Sequence, residues 1–241
     1  MSGDEPTLID TVLKKVRGLR NKVSRRWASI QRRRRLGSLA PYIEKSKQIE
    51  GWARGDEASE LAIVARRLPP DAVVVEIGSF LGSSAVLLAG ARKLAGSGVV
   101  HCIDPFDASG DAHSTPVYED LTSSLETSIR QRFDSNIEEA GVANWIVAHE
   151  GTAEEISADW TEPIDLLFLD GDQSPDGARS SFDAWYPFLK IGGVLAVHNS
   201  SNRQYSPHHD GYRRVVVESV TKPGFAKIRC VGTTTFAIKR S

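Results

Sequence analysis

Residues 73–84, Val-Val-Val-Glu-Ile-Gly-Ser-Phe-Leu-Gly-Ser-Ser, constrain the fold more than any other stretch of the chain. Three β-branched residues and an acid run into a glycine turn, and small residues follow from Ser83, so the segment reads as a buried parallel strand feeding a helix. At such a junction the helix N-terminus presents unpaired backbone N–H groups, and Gly78 and Gly82 let a ligand approach the backbone. With Glu76 at the strand's carboxyl end, the bound molecule is expected to carry an anionic group and a cationic or hydroxyl group. A dinucleotide fingerprint needs glycines at its first, third and sixth positions. Counted from Gly78, the later two hold Phe80 and Ser83, which favours a nucleoside without phosphates.

Downstream the chain repeats strand and helix. A helix from about residue 83 to 94 and the Gly96-Ser97-Gly98 turn lead to a strand over 99–104, completing a right-handed β-α-β unit. Asp104 ends that strand, where an acid accepts hydrogen bonds from ribose hydroxyls or caps the turn before Pro105. Residues 105–117 are polar and aperiodic, a candidate lid or substrate loop, and one long helix is expected over 118–140. A third strand over 144–149 is followed by Gly151, Thr152 and Ala153, a turn able to edge an adenine ring. The fourth strand, 164–169, is tipped by Asp170-Gly171-Asp172-Gln173, and the fifth, 191–197, by His198-Asn199. Neighbouring parallel strands gather their carboxyl ends, so these polar tips should cluster beside the nucleoside site. Oxygen donors from two strand ends suit Mg²⁺ or Mn²⁺, and the same residues also suit ordinary turns. A helix over 177–189, a polar loop over 200–210, a helix over 212–220 and two closing strands complete the chain.

The ordered set resembles the class I S-adenosylmethionine (SAM)-dependent methyltransferases, in particular the group of macrocin O-methyltransferase and the cephalosporin hydroxylase-like proteins, with a looser similarity to catechol O-methyltransferases. The resemblance covers residues 50–200 and implies a Rossmann-like α/β fold. Its seven-stranded sheet would have the order 3-2-1-4-5-7-6, with the last strand antiparallel. It implies a SAM site made by Glu76, Gly78, Ser79, Gly82, Ser83, Asp104, Thr152, Ala153 and Asp170, and a metal site made by Asp170, Asp172 and Asn199. Two positions depart from the family pattern. Gln173 stands where a histidine serves as general base, and an amide cannot take a proton near neutral pH. Asn199 stands where an aspartate helps bind the metal. Candidates for the catalytic groups are therefore His198, Asp172 and Gln173, with His208 or His209 in the following loop. The implied activity is O-methylation of a small-molecule or saccharide hydroxyl. N-methylation and a non-catalytic SAM-binding partner are the alternatives.

Composition bounds the rest. The 241 residues suit one large domain with an appendage, and neither of the two cysteines, Cys102 and Cys230, has a close-spaced partner, as in a reduced cytoplasmic protein. Residues 14–35 hold 11 lysines and arginines and no acid, although the whole chain has a net charge of −1. Apolar residues at steps of three or four over 7–36 make this arm, residues 1–40, a basic amphipathic helix. It would pack on the domain at 41–241 or on a second subunit, or lie at an anionic membrane surface; nucleic acid fits least.

Overall fold

The computed structural model describes residues 36–241, so the expected arm helix lies outside the described residues except at its last positions. Leu36 and Leu39 are buried with Ile43 against the domain, so the chain from residue 36 onward is already part of the core. A 3₁₀ turn, Gly37–Leu39, opens α1, Ala40–Ser46, and α2 spans Gly55–Arg67. The strands are β1 (Val73–Ile77), β2 (Val99–Asp104), β3 (Ile146–Glu150), β4 (Ile164–Leu169), β5 (Leu189–Val197), β6 (Phe225–Val231) and β7 (Thr234–Lys239). They form one sheet in the order β3-β2-β1-β4-β5-β7-β6, with β7 antiparallel to both its neighbours, as the resemblance implied.

Period-two alternation in these strands produces two cores. Val74, Val100, Cys102, Leu166, Phe168 and Ala196 face α1, α2 and α3, the last being Ser83–Ala95. Val75, Ile77, Ile103, Leu167, Leu169 and Val197 face the opposite layer of α6 (Ala153–Ala158), α7 (Pro175–Trp185) and α8 (Gly211–Ser219). β1 and β4 are central and buried on both faces, the signature of parallel strands covered on each side, and their polar residues Glu76 and Asp165 are buried and hydrogen-bonded. α3 is buried from Ser83 through Arg92, which its Ser, Ala and Gly content permits: at Gly90 a Cβ would run into the Tyr42 ring of α1.

The single long helix expected over 118–140 is two helices. α4 spans Thr115–Thr122 and α5 Ile129–Glu139. Ser128 starts α5 afresh with a capping box, its hydroxyl accepting from the Gln131 amide while the Gln131 side chain accepts from the Ser128 amide. That local cap outweighs the helical periodicity running across residues 123–128. The loop before α4 is correspondingly shorter than expected, because Pro116 sits comfortably in the first turn of the helix.

Candidate functional site

Each parallel strand delivers a polar residue to the same edge of the sheet, and the turns beyond those strand ends enclose a cavity of about 420 Å³. Of the residues singled out in the sequence, Gly78, Ser79, Ser83, Asp104, Thr152, Ala153, Asp170, Asp172, Gln173 and Asn199 line it. Glu76, Gly82 and His198 do not, and their positions explain why.

Gly78 has φ +85°, and a Cβ there would strike the Asp170 carbonyl, so only glycine lets β1 and β4 close the cavity floor. The turn after it is fastened by Asp104, whose Oδ2 accepts from the Ser79 and Phe80 amides at 2.8 Å each and whose Oδ1 accepts from Phe106 N at 2.7 Å. These charge-assisted bonds offset the left-handed backbone of Phe80 (φ +46°) and Phe106 (φ +52°). Asp104 thus sets the turn's shape and also faces the cavity. Gly82 caps α3 from behind with φ +91° and no side-chain cap, leaving the first amides of the helix free for an anion.

Glu76 lies beneath this turn, fully buried, rather than on the wall where it could hold a ligand directly. Its Oε2 accepts from the Ser79 hydroxyl at 2.8 Å and from Cys102 Sγ at 3.4 Å, while Oε1 has no hydrogen-bond partner. Burial raises its carboxyl to about 7, against the pull of Ser84, Ser79 and Cys102. On the far side, Thr152 caps α6, and the buried Trp185 indole donates to the Ala153 carbonyl at 2.9 Å, pinning the turn read as the adenine edge.

His198 is 2% exposed and sits between two carboxylates. Its Nδ1 donates to Asp170 Oδ1 at 2.6 Å, and Nε2 lies 3.8 Å from Glu57 Oε1. Although burial alone would lower it, Asp170 and Glu57 raise the imidazole to about 10. With two carboxylates favouring its protonated form and its ring off the cavity wall, His198 is poorly placed to act as a general base. Burial would raise Glu57, yet His198 and the Thr233 amide and hydroxyl hold it at about 2. Because the folded pKa of His198 lies above its ordinary value, this cluster's stabilisation is full below about pH 6.5 and fades as pH rises through 10. Urea midpoints of the chain should therefore fall between pH 7 and 10, and His198→Asn should flatten that decline; equal slopes for both proteins would show that the cluster does not titrate as described.

The expected metal ligands, Asp170, Asp172 and Asn199, all line the cavity, and each already makes a hydrogen bond within the chain. Asp170 Oδ1 is taken by the His198 N–H, Asp172 Oδ1 accepts from the Ser174 amide at 2.8 Å, and the Asn199 amide nitrogen donates to Gln173 Oε1 at 2.9 Å. Among the described residues no group of three or more His, Cys, Asp or Glu could hold a metal ion. A hard divalent cation seeks six or more oxygens. Asp170, Asp172 and the Asn199 amide oxygen would supply three of these at most, the rest falling to water.

A second cluster, of which the sequence pointed to His209 but not to its partner, also meets the cavity. His209, from the loop after β5, places Nδ1 3.2 Å from both oxygens of Asp111, which comes from the loop before α4 and is 3% exposed. Burial would raise Asp111, but the Ser114 hydroxyl at 2.7 Å, the His113 amide and His209 hold it below its usual value, as a charged carboxylate. A carboxylate on Nδ1 fixes the tautomer with its proton there, leaving Nε2 with a lone pair. The Asn199 amide donates toward that Nε2 at 3.4 Å.

Residues 75–200, more than half the chain, match the family model described as a methyltransferase domain. The chain belongs to that family. Its fold is that of the class I SAM-dependent methyltransferases. Similar solved structures include an O-methyltransferase from Bacillus cereus in complex with S-adenosylhomocysteine (SAH), at 17% identity and TM-score 0.57 over 84% of this chain and 90% of that one. The cofactor-bound Rv0187 from MTB aligns at 18% identity and TM-score 0.60 over 85% and 90%. The SAH-bound Podospora anserina methyltransferase PaMTH1 aligns at 12% identity and TM-score 0.59 over 100% of both chains. At these identities the likeness is one of fold. The glycine turn, the α3 N-terminus without a side-chain cap and Asp104 lie together at this cavity. No helix among the described residues is long and apolar enough to cross a membrane.

Proposed function

We propose that this methyltransferase transfers the methyl group of SAM to a hydroxyl of a small molecule, with His209 as general base and without a divalent metal. The observation that carries this reading is the Asp111–His209 pair at the cavity end opposite the adenine turn, beside Gln173 and Asn199. SAM supplies the methyl as a sulfonium: as the acceptor oxygen forms its C–O bond, the S–C pair stays on sulfur as a neutral thioether. The acceptor hydroxyl displaces the long 3.4 Å contact from the Asn199 amide and gives its proton to His209 Nε2, and Asp111 stabilises the imidazolium so formed, as carboxylate–histidine pairs do elsewhere. Gln173 and Asn199 orient the acceptor oxygen, and neither takes its proton. His198 and Glu57 act through Asp170 as positioning residues, holding that carboxylate against the cavity floor. The ordered motifs also support placement in the macrocin and cephalosporin hydroxylase-like group, where a saccharide hydroxyl remains a candidate acceptor.

Label from methyl-tritiated SAM should enter hydroxyl-bearing metabolites at an undiminished rate in excess EDTA. A rate that collapses in EDTA and returns with Mg²⁺ would reinstate the metal site at Asp170, Asp172 and Asn199. Transfer confined to amines would favour N-methylation, and SAH binding with no transfer to any pool would favour a non-catalytic protein.

A further inference from the structure

The cavity wall is one-sided in charge. Glu50, Asp104, Glu154, Asp170 and Asp172 line it, and no lysine or arginine among the described residues does. The anionic end of the cofactor has the α3 amides, but among the described residues an anion on the acceptor would meet carboxylates, neutral donors such as Gln173 and Asn199, and the two histidines, His113 and His209, with no fixed cation. Phosphate and carboxylate recognition ordinarily relies on arginine or lysine, which no described residue brings to this wall.

The rim is apolar. Trp52, from the segment between α1 and α2, meets Phe80 at 5.7 Å and Tyr118 of α4 at 5.2 Å between ring centroids, and Phe80 and Tyr118 lie 5.0 Å apart. Rings this close leave no slot for another ring between them, so a ligand must lie on the outer face of the cluster. That face is open: Trp52 is 42% and Val117 45% exposed, and they are the only large hydrophobics exposed to that degree on the cavity wall among the described residues.

We propose that the acceptor is a hydroxylated, ring-bearing molecule without negative charge, whose flat apolar face lies on Trp52 and Val117 while its hydroxyl reaches His209. The inference rests on the O-methylation reading above and narrows its substrate class. Acceptors tethered to a phosphate, a nucleotide or a coenzyme thioester are rejected by the acidic wall.

Three phenols with the same ring and hydroxyl but different charge test this: tyramine, 4-ethylphenol and 3-(4-hydroxyphenyl)propionate, titrated by calorimetry into the full chain saturated with SAH. Tyramine and 4-ethylphenol should bind at least about 10-fold more tightly than the propionate in low salt, with the gap narrowing as salt screens the wall. Trp52→Ala should weaken 4-ethylphenol by about 5- to 10-fold, in line with the worth of an aromatic contact, and Trp52→Phe should largely restore it. Propionate binding as tight as tyramine, no effect of Trp52→Ala, or no binding by any of the three would each overturn the proposal. SAH binding is measured first. Its absence would defeat the methyltransferase reading itself, whereas SAH binding with label transfer only to anionic or ringless acceptors would defeat this inference alone.

Discussion

His209→Ala lowers the turnover of methyl transfer by about 100-fold or more, the usual contribution of a positioned general base, while the dissociation constant of SAH changes by less than about twofold. The reason is the division of the cavity. His209 stands with Asp111, Gln173 and Asn199 at the end away from Asp104 and the adenine turn, so its loss removes a proton acceptor and no cofactor contact. Free imidazole should restore part of the rate in His209→Ala, because a small base can occupy the vacated space. Asp111→Asn should cost less, about 10-fold, since the amide keeps the ring near its place but loses the charge that stabilises the imidazolium. A merely structural histidine would show neither imidazole rescue nor a drop in turnover at constant SAH affinity. Full activity in His209→Ala would remove the base assignment.

Gly78→Ala abolishes measurable SAH binding and destabilises the fold, whereas Gly96→Ala does little beyond straining its turn. The two glycines share φ +85°, so the backbone penalty of adding a Cβ, about 1–2 kcal/mol, is common to both. They differ in surroundings. At Gly96 a Cβ meets nothing within 4 Å, whereas at Gly78 it collides with the Asp170 carbonyl and the Gly171 backbone. Relieving that collision means prising β1 from β4 where their ends form the cavity floor, and Gly78 N also donates to the Ile103 carbonyl at 2.9 Å. The expected difference is a further few kcal/mol, or roughly 5–10 °C in melting temperature for a domain of this size. Thermal melts and SAH calorimetry on the two variants check it; equal losses in both would mean that the close approach at Gly78 is unimportant.

The sequence alone determined the architecture and the glycine turn at the cavity. Strands 73–77, 99–104 and 164–169 are legible because a parallel strand covered on both faces must be continuously apolar, and each such run here ends at a glycine or an aspartate. The turn after β1 is legible for a related reason: Gly78, Gly82 and Asp104 act through backbone shape, which is local. Helix 118–140 was misjudged because its periodicity crosses a break that the Ser128 cap enforces more strongly.

Tertiary structure decided what the polar strand ends do. His198 and Asn199 are adjacent in sequence, yet β5 turns His198 inward to Asp170 and Glu57 and leaves Asn199 on the cavity wall. Side chains alternate across a strand and its exit turn, and only the packing of α2 against the β6–β7 hairpin, where Thr233 and Thr234 donate to Glu57, brings that carboxylate to His198 and favours its protonated form. Likewise Asp111 and His209 are 98 residues apart, in loops without periodicity, and nothing in either loop points to the other. Hydrophobic pattern is carried by neighbours along the chain, whereas a proton-transfer pair depends on two distant loops meeting within about 3 Å, and such a distance is fixed only when the sheet between them has formed.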